Sequence, residues 1–258
     1  QLLKNSKHKF FLLKENINFK EDALETIEFL KKNNLSNSIL LVDHYEIDFK
    51  WERLVSNYVK KIIVIDDLAS NKHECDILIN QVYGIKESTY KELVNKSCKL
   101  YLGSKYIMIK PEFAALREKF VKINSIEKIK NIHLFFSSND KNELILKYSR
   151  IILENFPFIN LHISVGNGFK NINELEELKT KTNRISWFRN NQEIEKQMLK
   201  CQIAIGTPGM ITWERACLGI PSIQIGIKDF QDDILSELDS LGICKWIGLE
   251  KKINKNDF

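Results

Sequence analysis

Residues 202–225, QIAIGTPGMITWERACLGIPSIQI, decide how the rest of the chain is read. Ile203, Ala204 and Ile205 form a short apolar run that the cluster Gly206-Thr207-Pro208-Gly209 interrupts, as a strand ends in a turn. A helix is expected to start near Met210 or Ile211 and to close at Leu218, with Gly219 placed for a left-handed cap. Pro221 prevents the helix from resuming, and residues 222–225 read as the next strand. This order sets a glycine turn and a helix N-terminus at the carboxyl end of a parallel strand. Free amides and the positive end of the helix dipole meet there, which suits a phosphate. Glu214, about one turn into the helix, is in reach of ribose hydroxyls. An ordinary tight turn in a βαβ unit fits the same spacing equally well.

Outward from this stretch, strands and helices alternate along the whole chain. Residues 21–33 carry Ala23, Leu24, Ile27, Phe29 and Leu30 between charges, an amphipathic helix. Residues 38–42 are a continuous apolar run, as in a strand buried on both faces of a parallel sheet, ending in Asp43-His44-Tyr45. Asp48 is an N-cap for a helix through Trp51, Leu54, Val55 and Tyr58. Residues 61–65 form a strand ending in Asp66-Asp67. Paired acids there fit a metal or a phosphoryl group; a capping role for Asp67 before the 69–71 loop is the plainer reading. A further strand is expected at 75–80, part of a short helix at 90–94, a strand and turn over 99–110, and a helix opened by Pro111. Residues 122–130 are charged and aperiodic and read as a linker. Beyond it, strands at 131–136, 159–165, 185–188 and 244–247 alternate with helices through Leu144, Ile145, Tyr148 and Ile152, and at 171–179, 191–200 and 232–241. The fold class is α/β: two Rossmann-like, doubly wound domains, residues 1–122 and 131–258.

Composition narrows the function classes. The 258 residues are 43% hydrophobic and 28% charged, an ordinary globular composition. No apolar run approaches the roughly 18 residues that span a bilayer, and the N-terminus has no signal-peptide pattern. It reads as the interior of a longer chain. A net charge of +5 raises the question of nucleic acid, but only six of the 39 basic residues are arginine and the lysines are scattered. Forked phosphate and base contacts favour arginine, so nucleic-acid and membrane partners are not expected. Cys75, Cys98, Cys201, Cys217 and Cys244 are odd in number and show no metal-ligand spacing. Small core residues in a reducing cytoplasm fit them best, and no metal or cofactor is expected.

Four segments carry a resemblance: VDHYEIDFKWE (42–52), VIDDLASNKHECDILINQ (64–81), LGSKYIMIKPEFAALR (102–117) and TWERACLGIPS (212–222). Together they resemble the UDP-sugar hydrolases of pseudaminic acid biosynthesis, which cleave UDP-2,4-diacetamido-2,4,6-trideoxy-β-L-altropyranose to UDP and the free sugar. The resemblance runs from about Leu40 to Leu249. It implies the glycosyltransferase B (GT-B-like) architecture, two domains facing a cleft, with UDP held mainly by the second and water attacking the anomeric carbon with inversion. It further implies that Gly209, Met210, Ile211 and Thr212 cradle the pyrophosphate, with Glu214 at the ribose. Ser137, Ser138 and Asp140 would close over the phosphates, with Asp229 and Gln231 also on the substrate side. His44 and Tyr45 would face the sugar; a satisfied structural histidine is the plainer reading of His44 alone.

Three departures bear on the chemistry. The family's catalytic histidine lies in a GxGH loop that this sequence does not contain, so the first domain is expected to be incomplete and the chain inactive as it stands. The turn that usually reads GGSD is Ser137-Ser138-Asn139-Asp140. The usual asparagine before Gln231 is Phe230. A UDP-sugar glycosyltransferase and a non-catalytic nucleotide-sugar-binding subunit remain alternatives. Oligomeric state is left open.

Overall fold

A computed structural model describes residues 9–14, 18–121, 128–189 and 193–253. Internal contacts divide the chain into two units, Gln1–Met108 and Ile109–Phe258. The break falls before the 122–130 segment that composition marked as a linker, whose residues 122–127 lie outside the described set. The reason is helix α3 (Pro111–Val121), which packs with the second unit: Phe113 is fully buried beside Met198, Ala204, Ile211, Leu218 and Ile220.

The first unit holds α1 (Phe19–Lys32), β1 (Ile39–Val42), α2 (Phe49–Val55), β2 (Lys61–Ile65), β3 (Ile77–Asn80) and β4 (Lys99–Leu102). Asn18 opens α1 by accepting the Lys20 and Glu21 amides, and Asp48 opens α2 through the Lys50 amide. The four strands lie parallel in sequence order, β1-β2-β3-β4. Ala23, Ile27, Leu30, Trp51 and Val55 of the helices pack on Val42, Ile62, Val64 and Leu78 of one sheet face. The expectation that β1 is buried on both faces fails. Among the described strands it lies at the sheet edge, and Ile39 and Leu41, pointing to the other face, are 59% and 56% exposed. The short helix expected within 90–94 is instead a 3-10 turn, Glu87–Tyr90, followed by a single bridge from Val94 to His73. The Cys75 and Cys98 sulfurs lie 3.7 Å apart as free thiols.

The second unit holds, after α3, β5 (Asn131–Phe135), α4 (Leu144–Asn155), β6 (Asn160–Val165), α5 (Ile172–Thr180), β7 (Ile185–Arg189), α6 (Ile194–Met198), β8 (Ile203–Gly206), α7 (Met210–Leu218), β9 (Ser222–Gly226), α8 (Asp232–Ser240) and β10 (Lys245–Leu249). All six strands are parallel, ordered β10-β9-β8-β5-β6-β7. The winding therefore reverses between β5 and β8, a topological switch point. Strand alternation gives the sheet two unlike faces. Ile132, Leu134, Leu161, Ile163, Ile205 and Ile225 form an apolar face with α4 and α5. The opposite face carries His133, Ser164, Ser222 and Gln224, all buried. Among the described residues no helix is long and apolar enough to cross a membrane.

Candidate functional site

The switch point brings together the turn after β5 and the turn after β8, since Phe135 and Gly206 are register partners at adjacent strand ends. Gly209 sits at φ +146°, a region glycine alone adopts readily, and redirects the chain into α7. Its amide donates to Thr212 Oγ1 at 3.3 Å, and the Thr212 hydroxyl donates to Gln224 Oε1 at 3.1 Å. The turn is thereby tied to β9. The Met210 and Ile211 amides, in the first turn of α7, have no acceptor within the helix and are available to an anion. Gly219 closes the helix at φ +71°, as the sequence predicts.

The turn after β5 is built by contact with the next loop. A Cβ on Gly166 would lie 2.3 Å from the Ser138 carbonyl oxygen, and one on Gly168 would lie 1.9 Å from Asn139 Oδ1. Glycine is required at 166, where the Cβ would meet the Ser138 backbone, whereas at 168 it makes room for the Asn139 side chain. Ser137 adopts φ +102°, a conformation that favours glycine, the residue the resemblance leads one to expect in that place. Ser137 Oγ accepts the Asp140 amide at 3.1 Å. The Asp140 carboxylate accepts the Leu144 and Ile145 amides at 3.0 and 2.9 Å, which starts α4. Burial pushes the Asp140 carboxyl up from its ordinary value, against those two amide bonds. Both of its oxygens are engaged with the helix, so it fixes the turn from beneath. Beside it, a polar cavity of about 400 Å³ is lined by Asn139, Lys141, Glu143, Gly168, Lys170 and Asn171.

Glu214 is half-buried on α7, its carboxyl raised by burial while Lys110 and Arg215 pull it down. Its neighbour Arg215 is fully buried. Arg215 Nη2 donates to the Phe135 carbonyl at 3.3 Å, whereas Nε and Nη1 have no hydrogen-bond partner. Sequence reading passed over Arg215. The signal was there, because Ile211, Arg215 and Leu218 recur at helical spacing and share the buried side of α7. His133, on the same sheet face, donates or accepts through Nε2 with Ser164 Oγ at 2.9 Å and is driven down to about 3 by burial and by the Arg215 and His162 charges.

The other expected residues are not on these two turns: Asp229 and Gln231 follow β9, and His44 and Tyr45 belong to the first unit. Asp229 is exposed and paired with Lys251 at 2.6 Å, and Gln231 Oε1 accepts the Ile227 and Lys228 amides at 2.8 and 3.1 Å, closing the turn after β9. In the first unit, His44 and Tyr45 follow β1 as expected and are exposed. His44 Nδ1 accepts the Glu46 amide at 3.1 Å, and the Tyr45 carbonyl accepts from Asn71 at 3.1 Å. The cap after β2 is Asp66, not Asp67: Asp66 accepts the Leu68 and Ala69 amides and the Tyr90 hydroxyl, while Asp67 is exposed. No group of three or more His, Cys, Asp or Glu among the described residues is placed to hold a metal ion.

No protein-family model matches the sequence. An uncharacterized protein of Methanocaldococcus jannaschii is 26% identical over 216 residues, 80% of this chain and 44% of that protein. The UDP-2,4-diacetamido-2,4,6-trideoxy-β-L-altropyranose hydrolase of Campylobacter jejuni is 28% identical over 187 residues, 69% of this chain and 61% of the hydrolase. The chain thus spans between about two fifths and three fifths of the curated relatives it matches. Among solved structures, a UDP-N-acetylglucosamine 2-epimerase superposes with a TM-score of 0.58 at 14% identity, covering 95% of this chain and 68% of the epimerase. The fold is GT-B-like: two α/β units, each with a parallel sheet.

Proposed function

We propose that this chain is part of a UDP-sugar hydrolase acting on a diacetamido-trideoxy sugar in nonulosonic (pseudaminic) acid biosynthesis. The observation that carries the reading is the glycine turn and α7 N-terminus at the switch point, which lead directly into the TWERACLGIPS segment that bears the resemblance. In this reading the Met210 and Ile211 amides receive the diphosphate, and Gly209 and Thr212 hold their geometry. Ser137 and Ser138 close over the phosphates, Asp140 fixes their turn, and Glu214 takes the ribose hydroxyls. Fixed amide dipoles at the diphosphate would also stabilise the charge that develops on UDP as the anomeric bond breaks. Asp229 and Gln231 line the substrate side, and His44 and Tyr45 meet the sugar. The resemblance assigns water activation to a histidine in a GxGH motif that these residues do not include. The chain is accordingly expected to bind UDP without turning the substrate over by itself.

Calorimetric titration with UDP tests the binding half. Saturable binding is expected, and a folded protein that fails to bind at millimolar UDP would sink the proposal. Product analysis with the intact protein tests the chemistry. Free sugar and UDP are expected, a glycoside would make the enzyme a transferase, and tight UDP binding without turnover would make it a binding subunit.

A further inference from the structure

The fully buried Arg215 has no role in the site as derived so far. Its guanidinium makes one hydrogen bond, to the Phe135 carbonyl, and leaves Nε and Nη1 unpartnered. Among the described residues its guanidinium is in no ion pair; Glu214 and Cys244 act on it only through space. Burial lowers its pKa only to about 10, so it is a full cation at neutral pH. His133 beside it is neutral and adds no second charge. The position is prepared for the guanidinium. A Cβ on Gly206 would fall 1.8 Å from the Phe135 carbonyl oxygen and 2.7 Å from Nη2, so glycine at the end of β8 lets that carbonyl and the guanidinium meet beside it. Phe135 lies two residues before Ser137, and Gly206 three before Gly209. The unpaired charge therefore sits at the root of both turns that flank the switch point.

A buried charge with neither counter-ion nor complete hydrogen bonding disfavours the protein that holds it, and an anion nearby relieves the penalty. We infer that Arg215 is a positioning residue and the buried counter-charge of the diphosphate site: it ties α7 to the end of β5 and offsets the ligand's negative charge from beneath the two turns. This rests on the diphosphate reading of the same site. A ligand without phosphate would gain nothing from it.

Chemical-shift titration of the 15N-labelled protein with UDP and with uridine, on wild type, Arg215→Met and Arg215→Lys, separates the possibilities. Arg215→Met is expected to weaken UDP tenfold or more, about 1.4 kcal/mol, while uridine changes by less than about twofold and Arg215→Lys recovers most of the loss. A folded Arg215→Met protein that keeps its UDP affinity, or weakens uridine as much as UDP, overturns the inference. Should both variants fail to fold, the wild-type protein decides with inorganic pyrophosphate. A shift of the Arg215 Nε–H signal supports the inference, and a silent Nε–H while the Met210 and Ile211 amides respond overturns it. A wild type that responds to neither UDP nor pyrophosphate removes the diphosphate reading itself, and the inference with it.

Discussion

Both units bury charge at the carboxyl ends of their strands, and they treat it in opposite ways. In the first, Glu52, Asp66, His73, Asn80 and Tyr90 are all at most 7% exposed, and they satisfy one another. Glu52 Oε1 meets His73 Nδ1 at 2.7 Å, His73 Nε2 lies 3.8 Å from Asp66 Oδ2, the Tyr90 hydroxyl donates to Asp66 at 2.8 Å, and Asn80 donates to that hydroxyl at 2.8 Å. In the second, Arg215, Glu195 and His133 are at least as deeply buried, and each keeps an atom without a partner. Topology accounts for the difference. A sheet ordered β1-β2-β3-β4 has no reversal, and its loops lie side by side where cross-links can close. At a reversal, neighbouring loops leave in opposite directions and open a crevice. A complete polar network is a fastener; in our reading the incomplete one around Arg215 is completed by a ligand.

The contrast can be broken or sharpened by experiment. Removing one member of the complete network has the largest expected effect. Glu52→Ala leaves His73 and the Glu74 amide without their acceptor and is expected to destabilise the first unit by about 3–5 kcal/mol, read by denaturant unfolding; a loss below about 1 kcal/mol would show that the network fastens nothing. In the incomplete region, Glu214→Gln is expected to weaken UDP about tenfold, roughly 1–2 kcal/mol for a hydrogen bond to a charged group, with the melting temperature little changed. Ser137→Gly should stabilise, by about 1 kcal/mol, because it relieves a positive φ in a non-glycine residue; a destabilised variant would mean that the Ser137 hydroxyl bond to the Asp140 amide outweighs the strain.

Smallest are the pH effects, and they carry opposite signs. Burial alone would lower His73, but its hydrogen bond to Glu52 and the charges of Glu52, Asp66 and Asp48 hold it above the ordinary imidazole value. The stability it lends is present below about 6.5, the unfolded value, and is lost as pH rises through the raised one. His133 is depressed to about 3, so the unfolded chain binds its proton first. Its contribution is lost as pH falls from about 6.5 toward 3. The wild-type stability profile minus that of His73→Gln should slope downward with pH, and minus that of His133→Gln upward. A shared sign would undo the distinction between the two clusters.

Local chemistry made much of the fold legible. The segment from Ile203 to Pro221 encodes strand, turn, helix and stop within 19 residues, and the structure follows it because each signal there acts on its own neighbours. Asp48 and Pro111 opened helices as read for the same reason. What escaped depends on partners distant in sequence. Helix α3 joins the second unit because Phe113 finds Met198 and Leu218, about 100 residues away. Asp66 rather than Asp67 takes the cap because the Tyr90 hydroxyl waits on one side of the chain only. Of the expected site, the sequence makes the order of elements legible: the turns after β5 and β8 follow adjacent strand ends. That Asp140 turns inward to α4, and that Arg215 lies beneath the crevice, follows from burial that no single stretch of sequence declares.

The edge of β1 has a consequence at the bench. Its backbone groups pair with β2 on one side only among the described strands, and Ile39 and Leu41 stand exposed on a segment, Ile39–Val42, without charge or proline. Such an edge accepts another strand as readily as solvent. Leu41→Lys, which puts a charge on that edge, should therefore lower the tendency of this chain to associate in concentrated solution.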